Sequence, residues 1–128
     1  MAEKFIVEII SPDKSIFKNE TNEVTIPSYE GEMGILKDHV PLITFLRPGI
    51  ITIKTEGEKK YYVEEGTVEF SNNKLLILTS TARDIAYLDK SKINELLQKA
   101  EANLNTQSTD KERYVASYKL ETLKEISQ

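Results

Sequence analysis

Ile50-Ile51-Thr52-Ile53-Lys54-Thr55 runs into a turn at Glu56-Gly57-Glu58, and Lys60-Tyr61-Tyr62-Val63-Glu64 follows. β-Branched and aromatic residues crowd both arms, and a glycine marks the reversal between them, which is the pattern of two antiparallel strands. The same grammar recurs on either side. Phe5-Ile6-Val7-Glu8-Ile9-Ile10 stops at Ser11-Pro12-Asp13, and Glu23-Val24-Thr25-Ile26 stops at Pro27. Thr67-Val68-Glu69-Phe70 meets an Asn72-Asn73 turn before Leu75-Leu76-Ile77-Leu78. Short β-rich runs at this spacing predict an antiparallel sandwich or barrel. The alternation of Val24 and Ile26 with Glu23 and Thr25 gives each strand one buried and one solvated face.

After Leu88 the period changes. Ile93, Leu96, Leu97, Ala100 and Leu104 fall on one helical stripe, with Lys92, Glu95, Lys99 and Glu101 largely off it. Asp89 is the expected N-cap of this helix. The polar segment Asn103 to Ser108 interrupts the pattern, and Thr109-Asp110-Lys111-Glu112 reads as a capping box opening a second helix. Val115, Ala116, Leu120, Leu123 and Ile126 form its apolar face. Two such helices with a short connection make an antiparallel hairpin. Each is roughly 15 residues long, marginal in isolation, so the hairpin needs a surface to lie on. That dependence makes it a candidate movable element.

The chain has 128 residues, no cysteine, one histidine and a net charge of −4. Absence of cysteine excludes disulfide frameworks, thiolate catalysis and sulfur-rich zinc sites. The mild acidity, without a dense basic block, argues against nucleic-acid binding. Met1-Ala2-Glu3-Lys4 has neither secretory nor transit-peptide character, and no apolar run is long enough to cross a bilayer. The expectation is a soluble chain whose link to any membrane passes through a protein partner.

The residues that carry chemistry elsewhere stand here without companions. Gly31-Glu32-Met33-Gly34 lacks the Gly-x-x-x-x-Gly-Lys-Ser/Thr pattern of a phosphate cradle and reads as a loop that exploits glycine's backbone freedom. His39 has no nearby nucleophile or second ligand, so it is expected to satisfy backbone groups in the tight Leu36-Lys37-Asp38-His39-Val40-Pro41 connection. Glu30 with Glu32, and Glu64 with Glu65, are paired carboxylates that read as solvated surface charge.

One segment says more. Ile26-Pro27-Ser28-Tyr29-Glu30-Gly31-Glu32-Met33-Gly34-Ile35-Leu36 leads through Lys37-Asp38-His39-Val40-Pro41-Leu42-Ile43-Thr44 to Pro48-Gly49. A strand ending in proline, then Gly-Glu-x-Gly-Ile-Leu, a histidine, Pro-Leu and Pro-Gly, resembles the signature of the epsilon subunit of bacterial F-type ATP synthases, the delta subunit of the mitochondrial enzyme. Glu65-Gly66-Thr67-Val68-Glu69-Phe70, Asn73-Lys74, Ile77-Leu78 and Leu88-Asp89 extend the resemblance more loosely, so that it spans the chain from Phe5 to the second helix. Lys37-Asp38 stands where many relatives have proline and a small residue.

The resemblance implies a non-catalytic subunit at the foot of the central stalk. It would touch the gamma subunit and the ring of c subunits, so that proton-driven rotation turns the stalk as one body. It further implies a rotor interface comprising Gly31, Met33, Gly34, Ile35, Leu36, His39, Pro41 and Leu42, with Met33, Ile35 and Leu36 covered by the partner. The hairpin would inhibit ATP hydrolysis by extending into the catalytic head, where Lys111, Arg113, Lys119 and Lys124 face acidic segments of the beta subunits. Some members bind ATP as a regulatory ligand through Ile/Leu-Asp-x-x-Arg-Ala at the first helix. Here Leu88-Asp89-Lys90-Ser91-Lys92-Ile93 leaves Asp89, Lys92 and, from the second helix, Arg113 as the residues for that role. Lysine keeps the charge without arginine's planar fork.

The expected architecture is therefore an all-β N-terminal sandwich over residues 1–86 and a C-terminal antiparallel α-helical hairpin over residues 87–128. The expected setting is the cytoplasmic face of a bacterial inner membrane, as a peripheral part of the synthase, with no metal and no resident cofactor. Two other classes fit the same composition. One is a stand-alone interaction adaptor; the other is a small carboxylate hydrolase of lipocalin-like or jelly-roll form, which requires a deep pocket with convergent acids.

Overall fold

The computed structural model describes residues 3–106 and 109–127. Met1-Ala2, Gln128 and the Gln107-Ser108 part of the expected helix interruption lie outside the described residues. Ten strands come first: β1 (Phe5–Ile10), β2 (Ser15–Thr21), β3 (Glu23–Ser28), β4 (Gly31–Leu36), β5 (Leu42–Leu46), β6 (Gly49–Lys54), β7 (Glu58–Val63), β8 (Gly66–Ser71), β9 (Lys74–Leu78) and β10 (Arg83–Asp84). A 3₁₀ turn at Ile85–Tyr87 leads into helices α1 (Lys90–Thr106) and α2 (Asp110–Ile126).

The strands hydrogen-bond in the order β10-β7-β6-β3-β5-β8-β9-β1-β2, with β4 paired to β3. Every pairing is antiparallel except β1 with β9. The path folds into two layers at β3, whose Glu23–Thr25 pairs with β6 while Ser28 pairs with Leu46 of β5. Pro27 sits at this corner, where its missing N–H costs no ladder bond and its carbonyl accepts from the Arg47 amide at 3.0 Å. Gly49 packs against it; a Cβ there would lie 2.4 Å from Pro27 Cβ, so only glycine lets the two strands approach so closely.

Alternate residues of both layers meet in one dry core: Val7 and Ile9, Val24 and Ile26, Ile51 and Ile53, Val68 and Phe70, Leu75 and Ile77. This is the inward half of the period-two pattern visible in the sequence. The Gly31–Gly34 segment differs from expectation. It is a strand, hydrogen-bonded along β3 from Ser28↔Gly31 to Glu23↔Leu36, rather than a loop. Only Gly31 needs a positive φ, +120°, to leave the Tyr29-Glu30 turn. Strand alternation then sends Ile35 into the core, fully buried, so no partner covers its side chain. Met33 is half-buried and packs against the same core.

Asp89 caps α1 as expected, accepting from the Lys92 amide at 2.8 Å. Thr109 caps α2, accepting from the Glu112 amide at 3.1 Å and donating to Glu112 Oε1 at 2.7 Å. Helix α1 persists past Asn103 to Thr106, because half-buried Leu104 keeps its stripe engaged. The hairpin lies on the outer face of β6 and β7. Tyr62 projects outward from β7 and is fully buried with Leu96, Ala100 and Leu123, flanked by Ile85, Leu97, Leu120 and Ile126.

Candidate docking surfaces

The Leu36–Leu42 connection turns on Asp38, held in the left-handed region. Asp38 has φ 64°, and the His39 amide closes the turn by donating to the Leu36 carbonyl at 3.1 Å. His39 Nδ1 lies 2.7 Å from the Val40 carbonyl, which fixes the proton on that nitrogen, and the ring edge meets Phe70 at 5.9 Å. The histidine is thus occupied with backbone and core contacts, as its lack of companions in the sequence predicted. Leu36, Val40 and Pro41 are left exposed around it.

Exposure continues along β5. Ile43 is 71 % and Phe45 60 % exposed, while Thr44 and Leu46 between and beyond them are buried. Residues opposite one another in adjacent strands share a face. Phe45 therefore lines up with Thr67 and Leu78, and Ile43 with Glu69 and Leu76. Parallel pairing carries both rows on to Ile10 and Glu8 of β1. The outer face of β5-β8-β9-β1 is thus an apolar strip broken by two carboxylates, and the Leu36–Pro41 connection stands at one end of it. Leu36 and Pro41, which are exposed, and Leu42, which is half-buried and packs against the core, were singled out from the sequence; Val40, Ile43, Phe45 and Leu78 were not. The signal for them was present, since Leu42-Ile43-Thr44-Phe45-Leu46 is too apolar for a strand with one solvated face.

A second surface joins the hairpin to the sheet. Tyr62 donates to Glu64 Oε2 at 3.0 Å, and Lys119 reaches the same oxygen at 3.3 Å. Burial, reinforced by the neighbouring Glu64 charge, pushes the Tyr62 phenol well above its ordinary range. The Arg47 guanidinium sits 4.0 Å above the Tyr118 ring, and Tyr29, Tyr114 and Tyr118 form a ring ladder with centroids 6.0 and 4.7 Å apart. A cleft of about 260 Å³ remains beside this contact, with Glu32, Thr52, Lys60, Glu121 and Glu125 on its walls.

Asp89, Lys92 and Arg113 are not brought together. Asp89 is consumed as a cap and Lys92 pairs with Glu95 at 3.6 Å, both at the open end of the hairpin. Arg113 stands near the connection between the helices, roughly 15 Å farther along at 1.5 Å per residue. Lys119 faces Glu64, whereas Lys111 and Lys124 are exposed. Glu64 is tied to Tyr62 and Lys119, while Glu65 accepts from Ser80 at 2.9 Å on the other side of the strand end. Among the described residues no three metal-ligating side chains converge, and no helix is long and apolar enough to cross a membrane.

Residues 4–85, the whole strand-built part, match the family model described as ATP synthase, Delta/Epsilon chain, beta-sandwich domain. The chain belongs to this delta/epsilon family. Curated relatives agree over the helices as well as the strands. The chain is 49 % identical to the ATP synthase epsilon chain of Pelagibacter ubique, over 99 % of its own length and 100 % of the relative. It is 34 % identical to that of Afipia carboxidovorans, over 97 % and 92 % respectively. Among solved structures, a chain of the Euglena gracilis mitochondrial ATP synthase (OSCP, F1 and c-ring, rotational state 1) superposes with a TM-score of 0.79 at 24 % identity, covering 98 % of this chain and 82 % of that one. A chain of the Tetrahymena thermophila central stalk and c-ring gives 0.70 at 16 % identity, covering 98 % of both. The delta/epsilon fold is accordingly the sandwich plus hairpin found here, with the family's sandwich segment ending inside the 3₁₀ turn that precedes Asp89.

Proposed function

We propose that this chain is the non-catalytic rotor subunit at the foot of the central stalk in a proton-translocating F-type ATP synthase. It is held peripherally at the cytoplasmic face of the bacterial inner membrane by its partners. The observation that carries the reading is the exposed strip Val40, Ile43, Phe45 and Leu78, continuous with the Leu36–Pro41 connection. A contiguous apolar face on a well-packed sheet is the surface expected of an obligate contact, and full-length relatives bearing the epsilon-chain name support its assignment to gamma and the c-ring. A two-layer core packed to crystal-like density transmits torque without yielding. Gly31, Met33, Gly34, Leu36, His39, Pro41 and Leu42 then belong to, or frame, the docking end, while Ile35 supports it from inside.

Residues 1–86 act in this reading as the docking body and residues 87–128 as a regulatory arm. The arm rests on one buried cluster around Tyr62 and on a partly solvated set of ring and ion-pair contacts, so release requires only a few kcal/mol. Extension would free Lys119 from Glu64 and present it with Lys111, Arg113 and Lys124 to acidic segments of the catalytic beta subunits, obstructing hydrolysis. ATP has no part in this reading, because the three residues expected to hold it are spread along the hairpin.

Co-purification tests the assignment. The tagged chain should bring down gamma and the c-ring, and a variant truncated after Leu88 should still do so while relieving hydrolysis inhibition. A stable monomer with no affinity for gamma would return the chain to the adaptor class.

A further inference from the structure

We propose that Asp38 and Asn73 form a staple that pre-sets the docking connection, making Asn73 a positioning residue for attachment to the stalk; this rests on the rotor reading above. The two residues are 35 positions apart, yet they exchange two hydrogen bonds. The Asp38 amide donates to Asn73 Oδ1 at 2.7 Å, and Asn73 Nδ2 donates to Asp38 Oδ1 at 2.9 Å. Both sit in the left-handed region, at φ 64° and 55°. That conformation is unfavourable for an L-residue unless a short polar side chain finds a hydrogen-bond partner. Here each side chain is the other's partner.

The far end of the staple is firm. Asn73 closes the β8–β9 turn, and its carbonyl accepts from the Ile6 amide at 3.1 Å, locking it to β1. Besides the staple, the near end meets the body through the edge contact of the His39 ring with Phe70 at 5.9 Å. Among the described residues, the side-chain hydrogen bonding of residues 37–41 apart from the staple is local, between His39 and Val40. Lys37 adds only a 3.9 Å ion pair to Glu3 between partly exposed groups, which contributes little. Leu36 and Val40 flank Asp38 and are 57 % and 70 % exposed. Leu36 is placed by its pairing with Glu23 at the end of β4, whereas the direction of Val40 is set by the turn that Asn73 fixes from another hairpin. A connection already ordered in the free chain avoids an ordering cost on docking, and that saving appears as affinity.

The test is a swap in the full chain, with binding measured against a purified gamma–c-ring subcomplex. Asn73→Asp keeps a residue that tolerates positive φ but removes the donor and sets two carboxylates face to face. Its Kd should rise about tenfold. In the double variant Asp38→Asn/Asn73→Asp the amide and carboxylate trade places, both bonds can form again, and affinity should return towards wild type. Unchanged binding by Asn73→Asp, or no recovery in the double variant, overturns the proposal.

Hydrogen exchange on the same proteins supplies an independent readout. Asn73→Asp should speed exchange at Asp38 and His39 while Val7, Val68 and Ile77 keep their protection. Loss of protection across the whole sheet would mean a plain structural role and also overturn it. Failure of the wild-type chain to bind the subcomplex refutes the rotor reading instead, and exchange at Asp38 still decides whether the staple orders the connection.

Discussion

Replacing Leu123 by alanine should loosen the hairpin while leaving the sandwich intact. Leu123 is fully buried against Tyr62, Leu96 and Ala100, in a cluster shared by helix and sheet. Alanine is at least as good a helix former as leucine, so α2 itself is not penalised. The cost is the lost transfer energy plus the cavity, about 2–5 kcal/mol for a buried Leu→Ala. At about 3 kcal/mol the opening equilibrium of the hairpin shifts about a hundredfold, since 1.4 kcal/mol is a factor of ten. Native-state hydrogen exchange reads this directly. Amides of α1 and α2 should lose about two decades of protection, whereas Val7, Val68 and Ile77, packed in the separate core between the sheets, should keep theirs. As a control, Ile77→Ala should lower protection throughout. Equal losses in hairpin and sheet after Leu123→Ala would show that the chain opens as one unit and would refute the idea of a separately releasable arm.

Ile43→Lys with Phe45→Thr should leave thermal stability nearly unchanged yet abolish capture of gamma in a pull-down. Lysine faces Glu69 and threonine faces Thr67 across the ladder, both tolerated pairs. Gly49→Ala places a methyl against the Pro27 ring at the sheet corner, where neither strand can retreat, and should cost about 1–3 kcal/mol by overpacking, measured as a lowered denaturant midpoint with unchanged slope. Glu8 is held below its ordinary value of 4.5 first by the Ser15 hydroxyl; burial opposes this, and Lys74 and Lys18 lower it further. A carboxylate with a lowered folded pKa contributes stability that is complete above 4.5 and drains away as pH falls through the lowered value. Glu8→Gln should therefore reduce the melting temperature at pH 7 and flatten its decline below pH 4.5; a parallel, equally steep curve would exclude the linkage.

Strand identity was legible wherever turn residues bracketed a β-branched run, as at Glu56-Gly57-Glu58 and Asn72-Asn73, and both helix starts were legible from Asp89 and Thr109. β2 was not, because Ser15–Thr21 is an edge strand with only Ile16 and Phe17 apolar, and exposed Lys18, Asn19 and Glu20 read as loop. β4 was misread for a different reason: glycine signals freedom locally, but pairing along β3 overrode it, and the resulting alternation buried Ile35. The exposed apolar strip escaped the motif-based reading because a motif marks chain segments, while the strip runs across β5, β8, β9 and β1. Only register shows that Phe45, Thr67, Leu78 and Ile10 stand side by side. The Asp38–Asn73 contact was equally invisible, each residue looking like an ordinary turn former.

The two candidate surfaces lie on opposite layers, the strip outside β5-β8-β9-β1 and the hairpin outside β6-β7, yet they approach each other at one point. Tyr29, in the turn between β3 and β4, stacks on Tyr114 of α2. It also lines a groove with Phe45, Thr67 and Lys111. A partner seated on Phe45 would therefore press on the rim of that groove, beside the start of α2. Leu123, farther along α2, and Tyr62 of β7, the centre of the hairpin's attachment, do not line that groove. Docking of the body can then influence the tip of the arm through Tyr29 without competing for the contacts that hold the arm down. On the proposed rotor reading, such an arrangement would let the subunit stay on its shaft whether the hairpin is held or released, because the two surfaces draw on different side chains.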